Sequence, residues 1–192
     1  MFLSGRKSIR RWAAISVIAV VGLAPLAACS SDDSSSTTST TVSTGPTVTD
    51  ATCPFTGTVS QTSGGATSVA TTPVTGVTTS KEGCVDNIQL TMSSGVGAWT
   101  ASYATGGVKD ASGATVNTGG SAALVISITG GQWKGNGQTP TTVLPVQLDY
   151  VESINVVNGP NNALLIVFGL DKQRPYQASD SSNPAYISLG IG

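Results

Sequence analysis

The sequence predicts an all-β fold, a small β-sandwich formed by residues 52–192. Short runs rich in β-branched and aromatic residues, several with apolar-polar alternation, recur along this part of the chain. Clusters of the turn-forming residues Gly, Asn, Ser and Pro separate these runs. Beyond residue 28, no segment has the apolar period of an amphipathic helix.

Seven strands are predicted from these runs, in chain order. They span residues 85–92, 98–104, 122–129, 143–151, 154–157, 163–170 and 185–191. The turns between them are predicted at Gly106-Gly107, Asp110-Ala111-Ser112-Gly113, Gly119-Gly120, Gly130-Gly131, Asn158-Gly159-Pro160 and Ser181-Ser182-Asn183-Pro184. A single helical turn is expected within residues 132–142.

The N-terminal part of the chain has the features of a secretory signal. Four basic residues precede position 12, and an apolar run too short for a comfortable membrane span leads to Leu26-Ala27-Ala28-Cys29. This tetrapeptide resembles the lipobox of bacterial lipoproteins, in which the cysteine sulfur receives a diacylglycerol and the chain is cut just before it. Residues 1–28 are therefore expected to be a signal peptide, and Cys29 the lipidated first residue on the extracytoplasmic face of the cell membrane. The alternatives are an ordinary signal peptide cut nearby, or a buried apolar segment with an incidental cysteine.

Residues 29–51 are predicted to be a linker. From position 30 they are almost entirely Ser, Thr, Asp, Val and Gly, which bury too little apolar surface to fold. Loss of the signal would leave five basic and ten acidic residues, a net charge near −5. Because such a chain has no basic patch for phosphates, no nucleic-acid partner is expected. Membrane attachment is expected through acyl chains and not through a polybasic surface.

Two cysteines, Cys53 and Cys84, remain once Cys29 is assigned to the lipid. In an exported chain, pairing them leaves no free thiol, so the sequence predicts a disulfide. Two free cysteines are the alternative.

Few residues could carry catalysis. The chain has no histidine, which excludes Ser-His-Asp and Cys-His catalysis and histidine-ligated zinc. A carboxylate-dependent glycan hydrolase remains as an alternative, with Asp149, Glu152 and Asp171 as candidate groups. A calcium loop at Asp110 and Asn117 is a further alternative. Since scattered carboxylates are more often solvated surface groups, the favoured interpretation is a non-enzymatic protein with no cofactor and no metal.

Ligand contact is predicted at three residues, Trp133, Arg174 and Tyr176. Trp133 stands between two glycine-rich segments, which favours exposure. Arg174 and Tyr176 flank a proline that preorganises the run for contact with a ligand or, as the alternative, for packing. Trp99 and Tyr186 lie in predicted strands and are expected in the core.

Two stretches resemble the AMIN-like domain of actinobacterial envelope lipoproteins. The first, residues 84–129, has a strand carrying Asp86, a second strand carrying Trp99 and Tyr103, an Asp-Ala-Ser-Gly turn and an apolar strand. The second, residues 158–192, has an apolar strand, the sequence Gly-Leu-Asp-Lys-Gln-Arg-Pro-Tyr and a last strand after a proline. The resemblance covers about residues 84–192, and it implies that Cys53 is the partner of the family's strand cysteine.

The chain departs from the family pattern at two places. Val85-Asp86-Asn87 stands where the family usually has an aromatic-Asp-Arg run, so a positive charge that could contact an anion is missing. The tryptophan common near the start of the domain is also missing, and Phe55 is the nearest aromatic residue.

The resemblance implies a small β-sandwich that attaches proteins to the cell envelope, by analogy with AMIN domains that target amidases and secretins to peptidoglycan. The sequence therefore predicts a lipid-anchored, non-catalytic envelope module that binds peptidoglycan, another wall glycan or an envelope partner protein. The alternatives are the glycan hydrolase, and a scaffold or chaperone that binds proteins through a sheet edge.

Overall fold

The computed structural model describes residues 53–135 and 146–192 in full. It also describes the backbone of three short strands, β1 (Val42–Ser43), β2 (Thr47–Thr49) and β10 (Thr142–Leu144). The chain divides into two units, residues 1–36 and 37–192, and all described residues belong to the second. The predicted signal peptide and Cys29 therefore lie outside the described residues.

The described residues form two seven-stranded sheets. Across sheet A the strands are β1, β4 (Thr62–Gly64), β7 (Trp99–Tyr103), β8 (Ala122–Thr129), β12 (Ala163–Leu170), β11 (Val151–Asn158) and β10. Across sheet B they are β2, β3 (Thr56–Thr58), β13 (Tyr176–Ser182), β14 (Ala185–Ile191), β6 (Val85–Met92), β5 (Thr72–Glu82) and β9 (Gly131–Trp133). Neighbours are antiparallel, except that β5 and β9 run parallel. Among the described residues, no helix is long and apolar enough to cross a membrane.

The core lies between the two sheets. Alternate residues of the strands point inward, which is the period-2 pattern of a half-buried sheet. Ile88 and Leu90 of β6 thereby join Ile126 of β8 and Phe168 of β12 in one buried apolar cluster. The prediction of an all-β sandwich is confirmed, as is the prediction that Trp99 lies in the core, where it is 2% exposed. The same prediction for Tyr186 is wrong, because Tyr186 is partly exposed and alternates with the buried Ile187 along β14.

The outer face of sheet A is covered by the chain itself. Residues 104–121, between β7 and β8, fold over it, and Val108 packs there in a second cluster with Val157, Leu165 and Val167. Strand β12 is thus buried on both faces, which explains its uninterrupted apolar sequence. On the outer face of sheet B, by contrast, the described chain leaves the outward residues of β5 and β13 largely exposed.

The predicted strands 85–92, 122–129, 163–170 and 185–191 match β6, β8, β12 and β14. The single strand predicted at 143–151 is wrong, because β10 ends at Leu144 and β11 begins at Val151. The backbone N–H groups of Asp149 and Tyr150 are bound to the carboxylate of Asp86 and not to a neighbouring strand. Strands β5 and β13 were not predicted because they are rich in exposed Ser and Thr.

Two further expectations differ in part from the structure. Strands β1 and β2 lie within the predicted linker, residues 29–51, and pair with β4 and β3. The helical turn expected in 132–142 is not found in the described part of that range, where Gln132 and Trp133 belong to β9. A 3₁₀ turn lies instead at Pro160–Asn162, between β11 and β12.

Candidate functional site

A buried carboxylate ties the two sheets together at one end of β6. Asp86 is 1% exposed, and its Oδ1 accepts a hydrogen bond from the backbone N–H of Asp149 at 3.0 Å. Its Oδ2 accepts from the N–H groups of Tyr150 at 2.7 Å and Val151 at 3.1 Å. Because these three donors belong to the segment that enters β11, Asp86 of sheet B fixes the start of a strand in sheet A. Asp86, which belongs to the stretch that resembles the AMIN-like domain, therefore has a structural role in this protein.

Arg174 packs in a second cluster of polar contacts. Its Nε and Nη2 donate to the two carboxylate oxygens of Asp171, both at 2.8 Å, and its guanidinium lies 3.6 Å from the ring centroid of Tyr150. The backbone N–H of Arg174 donates to the Tyr103 hydroxyl at 2.9 Å, and that hydroxyl donates to the Arg174 carbonyl at 2.6 Å. The hydrogen bonds from Arg174 hold the pKa of Asp171 below its ordinary value, and burial raises the pKa of Tyr103 to about 12.

Tyr176 is fully buried and cannot meet a ligand at the surface. Its side chain is 0% exposed, and its hydroxyl lies 2.6 Å from the carbonyl oxygen of Ser60 and 2.7 Å from that of Ala101. Its ring meets the ring of Tyr103 edge-on. The prediction of Tyr176 as a contact residue is corrected accordingly, and the packing alternative for the Arg-Pro-Tyr run applies to it. Arg174 is only 9% exposed, so most of its surface is also used in packing.

Trp133 lies apart from Arg174 and Tyr176. It is partly buried at the end of β9, beside a surface depression of about 660 Å³ that it shares with Lys134 and the turn residues Asn161 and Asn162. Neither Arg174 nor Tyr176 lines this depression. The three predicted contact residues are therefore not assembled on one face, and the cation beside Trp133 is Lys134.

The outer face of sheet B carries two cross-strand rows of small and polar residues. Each row crosses β5, β6, β14 and β13 in turn: Thr78, Gln89, Ser188 and Ser179 form one row, and Ser80, Asn87, Gly190 and Gln177 form the other. Their inward neighbours are core residues such as Ile88 and Leu189. Since side chains alternate along a strand, the rows point away from the core. We call these rows, together with Phe55, the polar face.

Phe55 covers one end of the polar face by lying on glycine backbone. A Cβ atom added at Gly57, Gly190 or Gly192 would lie 2.7, 3.5 or 2.5 Å from the nearest Phe55 atom. The ring therefore rests where three residues have no side chain, which is a recognised use of glycine in strands. Phe55 remains partly exposed and lines the depression on this face, so part of its ring surface is open to a ligand.

The depression on the polar face has about 430 Å³ and no charged side chain in its lining. Amides of Asn87, Gln89 and Gln177 supply both hydrogen-bond donors and acceptors, and the Ser and Thr hydroxyls supply more. An aromatic surface next to neutral donors and acceptors suits a ligand that presents both C–H faces and hydroxyl groups.

The carboxylates considered for a glycan hydrolase line neither the depression on the polar face, nor the one beside Trp133, nor a third one formed by residues 104–106 and 118–123. Asp149 instead forms an ion pair with Lys81 at 2.6 Å, and Asp171 is held by Arg174. Asp110 accepts hydrogen bonds from Ser112 and Ala114 within its own turn. No group of three or more potential metal ligands occurs in the part of the chain that the structure describes.

The predicted pairing of Cys53 and Cys84 is confirmed, with the two sulfur atoms 2.06 Å apart. In the sequence, Phe55, two residues after Cys53, stands out only as the aromatic residue nearest to the position of the missing tryptophan. Its packing on Gly190 and Gly192 depends on the fold, because these two glycines are far from Phe55 in the sequence. The Gly-x-Gly pattern at 190 and 192 was the one local signal of a close approach at this strand.

In the comparison with known families, the AMIN-like domain matches residues 72–191. No curated protein and no solved structure matches the chain. The matched segment runs from Thr72 in β5 to Ile191 in β14 and includes most of both sheets. Since it covers more than half of the chain, this protein belongs to the AMIN-like domain family.

Proposed function

We propose that this protein is a lipid-anchored, non-catalytic module of the cell envelope that binds an uncharged stretch of wall glycan on the polar face. The observation that carries the proposal is the Phe55 ring lying on three glycine positions beside a lining without charges. A pyranose ring can place its C–H face on an aromatic ring while its hydroxyl groups exchange hydrogen bonds with amides and hydroxyls.

The outer faces of the two sheets differ in how far the chain covers them, and this difference supports the polar face of sheet B as the binding surface. Residues 104–121 cover the outer face of sheet A and bury Val108 against it, so that face is used by the fold. The outward side chains of β5 and β13 have no such cover among the described residues. Membership of the AMIN-like family agrees with a role in binding at the cell wall.

A binding role, and not hydrolysis, is supported by the chemistry of the depression. A glycosidase needs two carboxyl groups placed across the scissile bond. The lining of the polar face provides amides, hydroxyls and one aromatic ring, but no group that could act as general acid or base near neutral pH.

The proposal is tested by retention of the full-length protein, solubilised in detergent, on purified cell wall. Phe55→Ala should weaken retention about tenfold, because a lost stacking contact worth about 1.4 kcal/mol corresponds to that factor. Gln89→Ala should weaken it about two- to tenfold through the loss of one or two hydrogen bonds. Gln132→Ala is the matched control, since Gln132 is an exposed glutamine of the same sheet beside the Trp133 depression.

Three outcomes would overturn the proposal. Retention that Gln132→Ala weakens and Gln89→Ala leaves unchanged would move the binding site to the Trp133 depression. Release of soluble sugar fragments from the wall would show hydrolysis. A parent protein that is not retained on the wall at all would remove the glycan-binding function.

A further inference from the structure

The segment that carries Phe55 lies upstream of the family domain and joins sheet B through the short strand β3. The family match begins at residue 72, whereas Phe55 precedes β3. Strand β3 pairs with β13 at one position, Thr58 opposite Tyr176. Two side chains of β13 add hydrogen bonds to this segment, Gln177 to the Thr56 carbonyl at 2.5 Å and the Tyr176 hydroxyl to the Ser60 carbonyl at 2.6 Å. On its other side β3 pairs with β2, which lies further upstream in the same part of the chain.

The disulfide attaches the same segment at its other end. Cys53 is 1% exposed and is bonded to Cys84, which directly precedes β6. Between Cys53 and Phe55 stands Pro54, whose ring fixes one backbone torsion and restricts the residue before it. Few free rotations therefore separate the bridge from the aromatic ring. A Cβ at Gly190 would lie 3.5 Å from both Phe55 and Val85, so the ring rests beside the residue that follows Cys84.

The apolar core between the sheets contains no residue of this segment. Every residue of the apolar cluster between the sheets lies at Val74 or later in the chain. Loss of the bridge should therefore free the Phe55 segment and leave the packing of β6, β8, β12 and β14 in place.

We propose that the Cys53–Cys84 disulfide is a positioning device for ligand binding, which holds the Phe55 ring on its three glycines and thereby completes the polar face. This inference rests on the proposed glycan-binding function. Cys53 and Cys84 touch no ligand themselves, and their effect on affinity passes through Phe55.

A double-mutant cycle tests this inference. Cys53→Ala/Cys84→Ala and Phe55→Ala should each weaken retention on purified wall about tenfold, and the triple variant should be no weaker than Phe55→Ala alone. The control combines the cysteine changes with Gln89→Ala. Here the two fold-changes in retention should multiply, because Gln89 contacts the ligand independently of the disulfide. All variants are compared at a temperature well below their unfolding transitions. Losses that multiply in the Phe55 triple variant, or a cysteine variant that is retained like the parent, would refute the positioning role.

A second measurement does not depend on any ligand. Backbone amide hydrogen exchange in the cysteine variant should show lost protection confined to residues 53–60, with β6 and β14 protected as in the parent. Unchanged exchange at 53–60 would refute the inference even if the parent binds no wall material. Failure of the parent to bind, with lost protection at 53–60, would refute the proposed function and with it the binding role of the bridge.

Discussion

Asp86→Asn is the change for which the structure gives the sharpest prediction about stability. The carboxylate of Asp86 is buried and accepts three backbone hydrogen bonds, one on Oδ1 and two on Oδ2. An asparagine can place its oxygen at the Oδ2 position and keep the N–H groups of Tyr150 and Val151. Its amide nitrogen then takes the place of Oδ1 and faces the N–H of Asp149. Both groups are hydrogen-bond donors, so this hydrogen bond is lost.

The magnitude follows from these contacts. One hydrogen bond to a charged group is lost, which costs about 1.5–3 kcal/mol, and the remaining two lose the strengthening that the charge gives them. We expect Asp86→Asn to lower the free energy of unfolding by about 2–4 kcal/mol and Tm by about 7–15 °C for a domain of this size. Asp86→Ala should lower it by about 3–5 kcal/mol, since all three N–H groups lose their partner.

Thermal unfolding followed by circular dichroism measures these changes. Asp149→Asn is the matched control, because the Asp149 side chain is exposed and pairs with Lys81, while its backbone N–H still reaches Asp86. Its Tm should stay close to that of the parent. Amide hydrogen exchange should locate the effect of Asp86→Asn at residues 149–151. If Asp86→Asn unfolds at the parent's temperature, the carboxylate does not hold the start of β11 and the reasoning fails.

Further predictions concern Asp171 and Cys29, in addition to those for the polar face and the disulfide. Because the hydrogen bonds from Arg174 depress the pKa of Asp171, their stabilising effect is complete above the unfolded-state pKa of about 3.9 and is lost as the pH falls through the lower folded value. Asp171→Asn should therefore have a lower Tm than the parent at pH 7 and the same Tm near pH 2, whereas a difference that persists undiminished at pH 2 would contradict this cause. Cys29→Ala should release the protein from the membrane fraction, and a variant that stays membrane-bound with its signal cut at the same place would refute lipidation at Cys29.

The sequence predicted the strands that pack apolar residues and missed those that present polar ones. Strands β6, β8, β12 and β14 have β-branched residues at buried positions, so local pattern and tertiary burial agree. Much of β5 and β13 consists of exposed Ser and Thr, residues that are equally common in loops. Their pairing with β6 and β14 is fixed by long-range register, which no local window contains.

The dependence on long-range register also explains why Arg174 and Tyr176 were wrongly predicted to share an exposed face. The sequence showed that Pro175 orders the backbone around Arg174 and Tyr176, but not whether the side chains face solvent or the core. The structure turns Tyr176 inward, because in β13 it alternates with the outward Gln177. A shift of one residue along β13 thus separates a core residue from a residue of the polar face, and only the assembled sheet decides between them.

Gly190, beside Phe55, is the residue of the polar face that folding alone explains least. Glycine within a strand weakens it, because the unfolded chain loses more freedom and no side chain packs on the neighbouring strands. At Gly57 in β3 the fold itself explains the glycine, because a Cβ there would lie 2.8 Å from the backbone N and O of Tyr176. Gly190 in β14 carries the cost without that reason, since a Cβ there would lie 3.5 Å from its nearest neighbours, which is an ordinary contact distance. The ring in turn gains little burial from its position, since it remains partly exposed at the surface. A fold selected only for stability would place a β-branched residue at position 190 and the aromatic ring in the core. The Phe55 ring lies partly exposed on glycine residues, next to uncharged amide side chains. This arrangement is expected if a bound ligand covers the exposed part of the ring.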